Sequence, residues 1–225
     1  MLSPEFEGNV KSPNYALVIF DFDGTLCDSY GQVISALNEI HESYGFRKIQ
    51  DQEVQTLRDF ELKETLHRLG IGTLKLPFVV RKIRKILAPR IESMRSFDGV
   101  SQAINDLNSR HVNMGVLTSN SLENVNAFLK SQSIKFDFVY AGSSLFGKAR
   151  LLTKLKREVS KDVPLIYVGD ETRDIEAAQA AGFQSVAVTW GYNSKKALER
   201  VKPDFIVDDF STLETLLREQ TEVHK

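Results

Sequence analysis

With 225 residues, 42% of them apolar, the chain is large enough for one sizeable core or for a core that carries an insertion. Its 29 Lys+Arg against 30 Asp+Glu leave a formal charge of −1, which excludes a basic field able to hold a nucleic acid or an anionic membrane. The longest unbroken apolar run, residues 15–20, is far below the roughly 20 residues that cross a bilayer, and one cysteine (Cys27) with four scattered histidines (His41, His67, His111, His224) excludes an internal disulfide and argues against structural zinc.

The first 14 residues carry Glu5 and Glu7 and lack the basic run, apolar stretch and cleavage site of a secretory leader. A cytoplasmic protein is therefore expected, as a monomer or homodimer. The first predicted strand is residues 15–20, and further short apolar runs follow at 112–117, 138–141, 165–168, 185–188 and 205–207. Their length and aliphatic or aromatic content predict strands buried on both faces. Between them lie segments of helical period: Val100, Ile104 and Leu107; Leu122, Val125, Phe128 and Leu129; Leu151, Leu152, Leu155 and Val159. Alternating strand and helix predict an α/β fold, a Rossmann-like parallel sheet flanked by helices. Ser211-Thr212-Leu213-Glu214 reads as a capping box opening the last helix.

One interval breaks the alternation. The stretch from Leu26 to Asn113 is far longer than the roughly 30 residues of a βαβ unit. Its pattern is helical: Val33, Leu37, Ile40 and Tyr44 share a face, as do Leu62, Leu66 and Leu69, then Val79, Ile83 and Ile86. An all-helical subdomain over residues 29–96 is expected, inserted into a core of residues 1–28 and 97–225. Residues 28–97 carry a net charge of +3. That suits a positive lid over an acidic floor, or simply the solvated helix face of Arg81, Lys82, Arg84 and Lys85.

The first strand runs into Asp21-Phe22-Asp23-Gly24-Thr25-Leu26. In extended chain Asp21 and Asp23 project to one side while Phe22 turns away. Acids at the C-terminal end of a parallel strand lie where open α/β sheets bind ligands, although Asp23-Gly24 would also serve as a plain turn. The fourth strand of this count leads into Gly169-Asp170-Glu171-Thr172-Arg173-Asp174. On a helix Asp170 and Asp174, four apart, can address one locus. A carboxylate-rich, histidine-free set with Asp21 suits Mg²⁺, while helix-dipole stabilisation alone would also place acids there.

The second strand ends in Thr118-Ser119-Asn120, where a hydroxyl and free N–H groups can form an anion pocket, or Ser119 or Asn120 can act as an ordinary N-cap. Lys148 opens the next helix but one. A cation is unfavourable at a helix N-terminus, so it points to an anionic partner from outside.

In this order, Asp21-x-Asp23-Gly24-Thr25, Thr118, Lys148 and Gly169-Asp170-x-x-x-Asp174 resemble the four motifs of the haloacid dehalogenase superfamily of hydrolases and phosphotransferases. The likeness spans residues 18–192, and the helical insertion is similar to that family's cap. Trp190-Gly191-Tyr192 is similar to a stretch common in its phosphoglycolate-phosphatase-like branch. One departure is Ala149 after Lys148, where many relatives have proline. The resemblance implies a Mg²⁺-dependent phosphatase acting on a small phosphorylated metabolite. Asp21 would attack phosphorus to form an aspartyl phosphate, and Asp23 would serve as acid and then base. Mg²⁺ would bind Asp21, the Asp23 carbonyl, Asp170 and Asp174. Thr118, Ser119, Asn120 and Lys148 would hold the phosphoryl group. A phosphosugar mutase and a non-catalytic phospholigand-binding protein are the alternatives.

Gly142-Ser143-Ser144-Leu145-Phe146-Gly147-Lys148-Ala149 nearly matches a P-loop. Ala149 lacks the hydroxyl that a P-loop supplies to Mg²⁺, and Asp21, Asp23 and the insertion would go unexplained. Cys27, with no histidine beside it in sequence, reads as a packed side chain. Trp190 and Tyr192 read as loop packing or substrate contacts. Tyr30, Arg47, Arg58 and Lys63 are candidates to meet the substrate's far end.

Overall fold

A computed structural model describes residues 5–110, 112–142 and 147–221. His111, His224 and the stretch 143–146 of the P-loop-like segment lie outside the described residues. The sheet holds β1 (Glu5–Gly8), β2 (Ala16–Phe20), β3 (Val112–Leu117), β4 (Phe138–Ala141), β5 (Leu165–Gly169), β6 (Gln184–Val188) and β7 (Phe205–Val207). They lie in the order β1-β4-β3-β2-β5-β6-β7. All neighbours are parallel except β1, which pairs antiparallel with β4.

The helices are α1 (Tyr30–Tyr44), α2 (Val54–Leu57), α3 (Leu62–Leu69), α4 (Leu76–Leu87), α5 (Val100–Asn108), α6 (Leu122–Ser131), α7 (Lys148–Leu155), α8 (Thr172–Ala181), α9 (Lys195–Arg200) and α10 (Phe210–Thr221). None is long and apolar enough to cross a membrane among the described residues.

Every residue of β2 and β3 is buried, because strand periodicity sends alternate side chains into two different cores. Val18 and Phe20 face the core shared with α5, α6 and α10, whereas Leu17 and Ile19 face the one shared with α7 and α8. The six predicted strands are all present. β1 goes unannounced because Glu-Phe-Glu-Gly has one apolar residue and stays exposed. It is held by its ladder to β4 and by Phe6, whose ring lies 4.4 Å from that of Tyr140. An acidic, short strand at this position protects the sheet edge from further pairing.

Four helices, α1 to α4, fill the interval between β2 and α5. The apolar faces read from sequence are the ones turned inward, with Leu87 as well as Ile86 on the α4 face. Helix α10 corrects one expectation. It begins at Phe210, and its cap is Asp209, whose carboxylate accepts the Thr212 N–H at 2.8 Å and the Thr212 hydroxyl at 3.0 Å. Glu214 instead pairs with Arg218, so Ser211 opens no capping box.

Candidate active site

The chain reaches the site along β2. Asp21 continues the strand for one residue, its N–H donating to the Val168 carbonyl of β5 at 2.9 Å. Phe22 then turns into the core against Phe128, ring centroids 5.1 Å apart, so the acids on either side of it face the opposite way. Gly24 has φ +80°, and a Cβ there would stand 2.2 Å from the Asp170 Oδ2. Both the left-handed turn and the lack of room require glycine at this point.

Lys148 is buried and its Nζ lies 2.7 Å from Asp21 Oδ2 and 2.6 Å from Asp174 Oδ1. The protein's own carboxylates, brought from β2 and α8, thus already meet this cation at the helix start. Burial works against its charge, but Asp174 and Asp21 outweigh that and hold its pKa above the usual lysine value. Asp21 is pushed up to about 7, chiefly by burial, with repulsion from Asp174 adding to it and Lys148 opposing. Asp174 goes the other way: burial disfavours its ionised form, but Lys148 and Arg173 together hold it below the ordinary range.

Asp170 is clamped. Its Oδ1 accepts the Thr25 hydroxyl at 2.6 Å and its Oδ2 the Tyr192 N–H at 2.7 Å. A Cβ on Gly191 would come within 2.2 Å of the same carboxylate. Thr25 of the first acidic segment and the Gly191-Tyr192 pair therefore act together as a cradle for Asp170. Each oxygen keeps a second lone pair. Burial and then the Asp21 charge raise its pKa well above the usual carboxylate value.

Glu171 is the residue that the sequence reading did not single out. Among the described residues, Asp21, Glu171 and Asp174 each offer a carboxylate oxygen within 4.8 Å of the others, and all three are buried. The signal was present in Gly169-Asp170-Glu171, but i to i+4 spacing favoured Asp170 and Asp174. The N-terminus of α8 departs from a regular helix at Glu171, whose φ is −114° and ψ 149°. That extended backbone swings Glu171 round to join Asp174 in a capping box, the Glu171 N–H donating to Asp174 Oδ2 at 3.2 Å. Capping and clustering are here the same geometry.

Thr118 Oγ1 accepts the Asn120 N–H at 2.9 Å, and Asn120 Nδ2 donates to Asp23 Oδ2 at 3.1 Å. Ser121, not Ser119 or Asn120, caps α6. Burial raises the Asp23 pKa, offset in part by hydrogen bonds from Ser29 and Asn120. Asp23, Ser119, Asn120 and Glu171 border a cavity that opens between the sheet edge and α1, α3 and α4.

The remaining candidates separate. Trp190 donates from Nε1 to the Thr25 carbonyl at 3.2 Å and packs on Phe210, so it supports the loop. Tyr192 borders the cavity, and its hydroxyl lies 3.0 Å from Ser29 Oγ. Tyr30 also borders it, its hydroxyl donating to the Val54 carbonyl. Arg47 is turned to Glu53 at the surface. Arg58 donates to the Thr189 carbonyl at 3.0 Å, joining the insertion to the core. Cys27 is buried with its Sγ 3.8 Å from Met94 Sδ, and burial drives its thiol pKa far up, which makes it a poor nucleophile.

A divalent cation suits this donor set. Three clustered carboxylates and the adjacent Asp170 share Lys148 and Arg173 as nearby cations, four acids to two bases, while burial first and then neighbouring acids raise the pKa values of Asp21 and Asp170. Oxygen-only ligands of this kind are those of hard divalent cations such as Mg²⁺, Ca²⁺ or Mn²⁺.

Comparison with known proteins agrees with this geometry. The haloacid dehalogenase-like hydrolase family matches residues 18–188. A phosphoglycolate phosphatase of Synechococcus elongatus is 35% identical over 87% of this chain and 94% of its own. The tyrosine-protein kinase PtkA of Mycobacterium tuberculosis is 28% identical over 89% of this chain and 70% of its own. In structure, a predicted phosphatase from Clostridium acetobutylicum superposes with a TM-score of 0.74 at 21% identity, covering 92% of this chain and 99% of that one. The matched range takes in the insertion and all four acid- and lysine-bearing segments, and the chain belongs to the haloacid dehalogenase-like hydrolase family.

Proposed function

We propose that the protein is a Mg²⁺-dependent phosphatase that cleaves a small phosphomonoester by transferring the phosphoryl group to Asp21 and then to water. The observation that carries this reading is the pairing of Asp21 Oδ2 with buried Lys148, while Asp23 faces the cavity from two residues on.

In this reading Asp21 supplies the nucleophilic oxygen. Lys148 opposes the upward shift that burial gives Asp21, favouring the ionised nucleophile, and is placed to neutralise charge on the phosphoryl oxygens as they approach. The P–O bond to the alcohol breaks as the bond to Asp21 forms, and Asp23 gives its proton to the leaving alkoxide. Its raised pKa suits it to carry that proton. Asp23, now ionised, takes a proton from water, which attacks phosphorus and frees Asp21 and inorganic phosphate. Asn120 orients the Asp23 carboxylate for both transfers. Ser119 and Asn120, which border the cavity, and Thr118, whose Oγ1 accepts the Asn120 N–H, would hold the phosphoryl oxygens. Asp21, the Asp23 carbonyl, Asp170 and Asp174, with Glu171 beside them, would hold Mg²⁺. When bound, that ion supplies the positive charge that phosphoryl transfer demands.

Residues 29–96 would act as the cap over a core of residues 1–28 and 97–225, excluding bulk water and selecting the substrate. Phosphoglycolate belongs in the substrate panel, since the Synechococcus relative is named for it. A phosphosugar mutase would return the phosphoryl group to sugar rather than to water, and a phospholigand-binding protein would keep the pocket without turnover.

The decisive experiment measures phosphate release from p-nitrophenyl phosphate and from a metabolite panel with Mg²⁺ and with EDTA. Release that requires Mg²⁺ and vanishes in Asp21→Asn supports the reading. A hexose 1-phosphate converted to its 6-phosphate would identify a mutase. Binding of phosphoesters with no turnover on any substrate would overturn the enzymatic assignment.

A further inference from the structure

We infer that the substrate's alcohol moiety is apolar, an alkyl or aryl group buried inside the helical insertion, and not a sugar or other polyol. This deepens the phosphatase reading above and rests on it. If phosphorus meets Asp21 and Asp23 protonates the leaving oxygen, whatever is bonded to that oxygen must enter the space that Asp23 borders. That space is a cavity of about 200 Å³. A cavity of roughly 150 Å³ accommodates benzene, so there is room for a group of that size or somewhat larger.

The cavity has two unlike ends. Its floor is polar, formed by Asp23, Ser119, Asn120 and Glu171. Its walls are apolar over three helices, with Val33 and Leu37 on α1, Leu66 on α3, and Val79, Val80 and Ile83 on α4. Most polar side chains at the lining are already engaged: Tyr192 lies against the Ser29 hydroxyl, and the Asn193 amide is taken by the Phe60 carbonyl and the Thr172 N–H. Tyr30 already donates to the Val54 carbonyl, and Arg173 is paired with Glu171 at 2.5 Å. Thr65 on α3 and Arg84 on α4 are the other polar side chains that the insertion brings to the lining. A polyol placed here would lose its water and find few partners, whereas an apolar group would exchange water for aliphatic walls.

Aliphatic phosphates separate this inference from the one beneath it, because methyl, ethyl, propyl, butyl and hexyl phosphate share one type of leaving group and differ in the surface they bury. The quantity to measure is kcat/KM for phosphate release with Mg²⁺. The expected result is a rise of about fourfold per CH₂ until the cavity is filled, with propyl phosphate exceeding glycerol 3-phosphate by roughly tenfold. The ratio of butyl to methyl phosphate, taken within each variant, should fall towards one in Val80→Asp, which puts charge on the wall, and in Thr65→Phe, which fills the space. Two variants of opposite character keep the test sound should one fail to fold. Phosphate release that is flat with chain length, or that favours 2-phosphoglycolate or glycerol 3-phosphate over butyl phosphate, overturns the apolar assignment and leaves the phosphatase reading standing. Absence of release from every ester overturns both.

Discussion

The sheet and the helical insertion solve different packing problems. In β2 every residue is completely buried, with Leu17 and Ile19 on one core and Val18 and Phe20 on the other, so the strand end that carries Asp21 is fixed from both faces. The insertion is looser. It encloses a cavity and leaves Leu74, in the turn before α4, 89% exposed and Phe78, on α4, 64% exposed. In the proposed reaction this is a division of tolerance: the groups that would meet phosphorus sit on the rigid layer, and those that would meet the variable part of a ligand sit where repacking is cheap.

The largest effect should come from the rigid layer. Asp21→Asn keeps the shape of the side chain and removes its charge and nucleophilicity, so kcat should fall by on the order of 10⁴-fold or more. Its stability should fall little, or even rise, because one of the crowded carboxylates is gone. Thermal melting beside the activity assay checks both. A variant that lost activity only in proportion to lost folded protein would contradict a catalytic place for Asp21.

Lys148→Ala comes next. It strands two buried carboxylates, and removing one partner of a buried ion pair costs about 3–5 kcal/mol. The loss should be greater in EDTA than in excess Mg²⁺, since a bound cation would compensate part of the missing charge. Denaturant unfolding under the two conditions measures the difference. Equal losses would argue against a cation held by Asp21, Glu171 and Asp174.

The packing contrast can be tested without touching the acids. Ile19→Ala in β2 should cost about 2–5 kcal/mol, because its surroundings cannot collapse into the space. Ile83→Ala in α4 should cost nearer 2 kcal/mol, because its side chain already borders open volume. Similar losses for both would mean that the insertion is as rigid as the sheet.

How much of this was legible in the sequence follows the same divide. Buried parallel strands appear as unbroken runs such as Leu17-Val18-Ile19-Phe20, and the insertion appears as a long interval with a 3.6-residue period, so order and type of the main elements could be read. The short pieces could not: α2 is four residues long, α9 six, and β1 has a single apolar side chain. At the site, Asp21 and Asp23 were marked by their place at a strand end. Glu171 was hidden because its position depends on an extended backbone just before α8, and helical spacing mispredicts residues ahead of the first turn. The role of Gly191 was equally hidden, since only the fold brings it against Asp170 from 21 residues away in sequence.

The junction between the two regions yields the smallest effect and the sharpest diagnosis. Residues 58–60 of the insertion grip the start of α9. The Arg58 carbonyl accepts the Ser194 N–H at 2.8 Å, the Phe60 carbonyl accepts Asn193 Nδ2 at 2.9 Å, and Asp59 Oδ1 accepts the Ser194 hydroxyl at 2.5 Å. Asn193 also faces the acids, its Oδ1 accepting the Thr172 N–H at 2.9 Å and its own N–H donating to the Asp170 carbonyl at 3.2 Å. One asparagine thus ties the insertion to the segment that presents Glu171 and Asp174. Asp59→Ala removes a half-buried acceptor for the Ser194 hydroxyl and a long ion pair with Lys196, and should cost about 0.5–1.5 kcal/mol. Asn193→Ala leaves the part-buried Phe60 carbonyl and the buried Thr172 N–H without their Asn193 partner and should cost more, about 1–3 kcal/mol. If the junction transmits the position of the insertion to the acids, Asp59→Ala should raise KM with kcat nearly unchanged, whereas Asn193→Ala should lower kcat as well. Matching KM and kcat changes in the two variants would show that the grip only adds stability and that the two regions act independently.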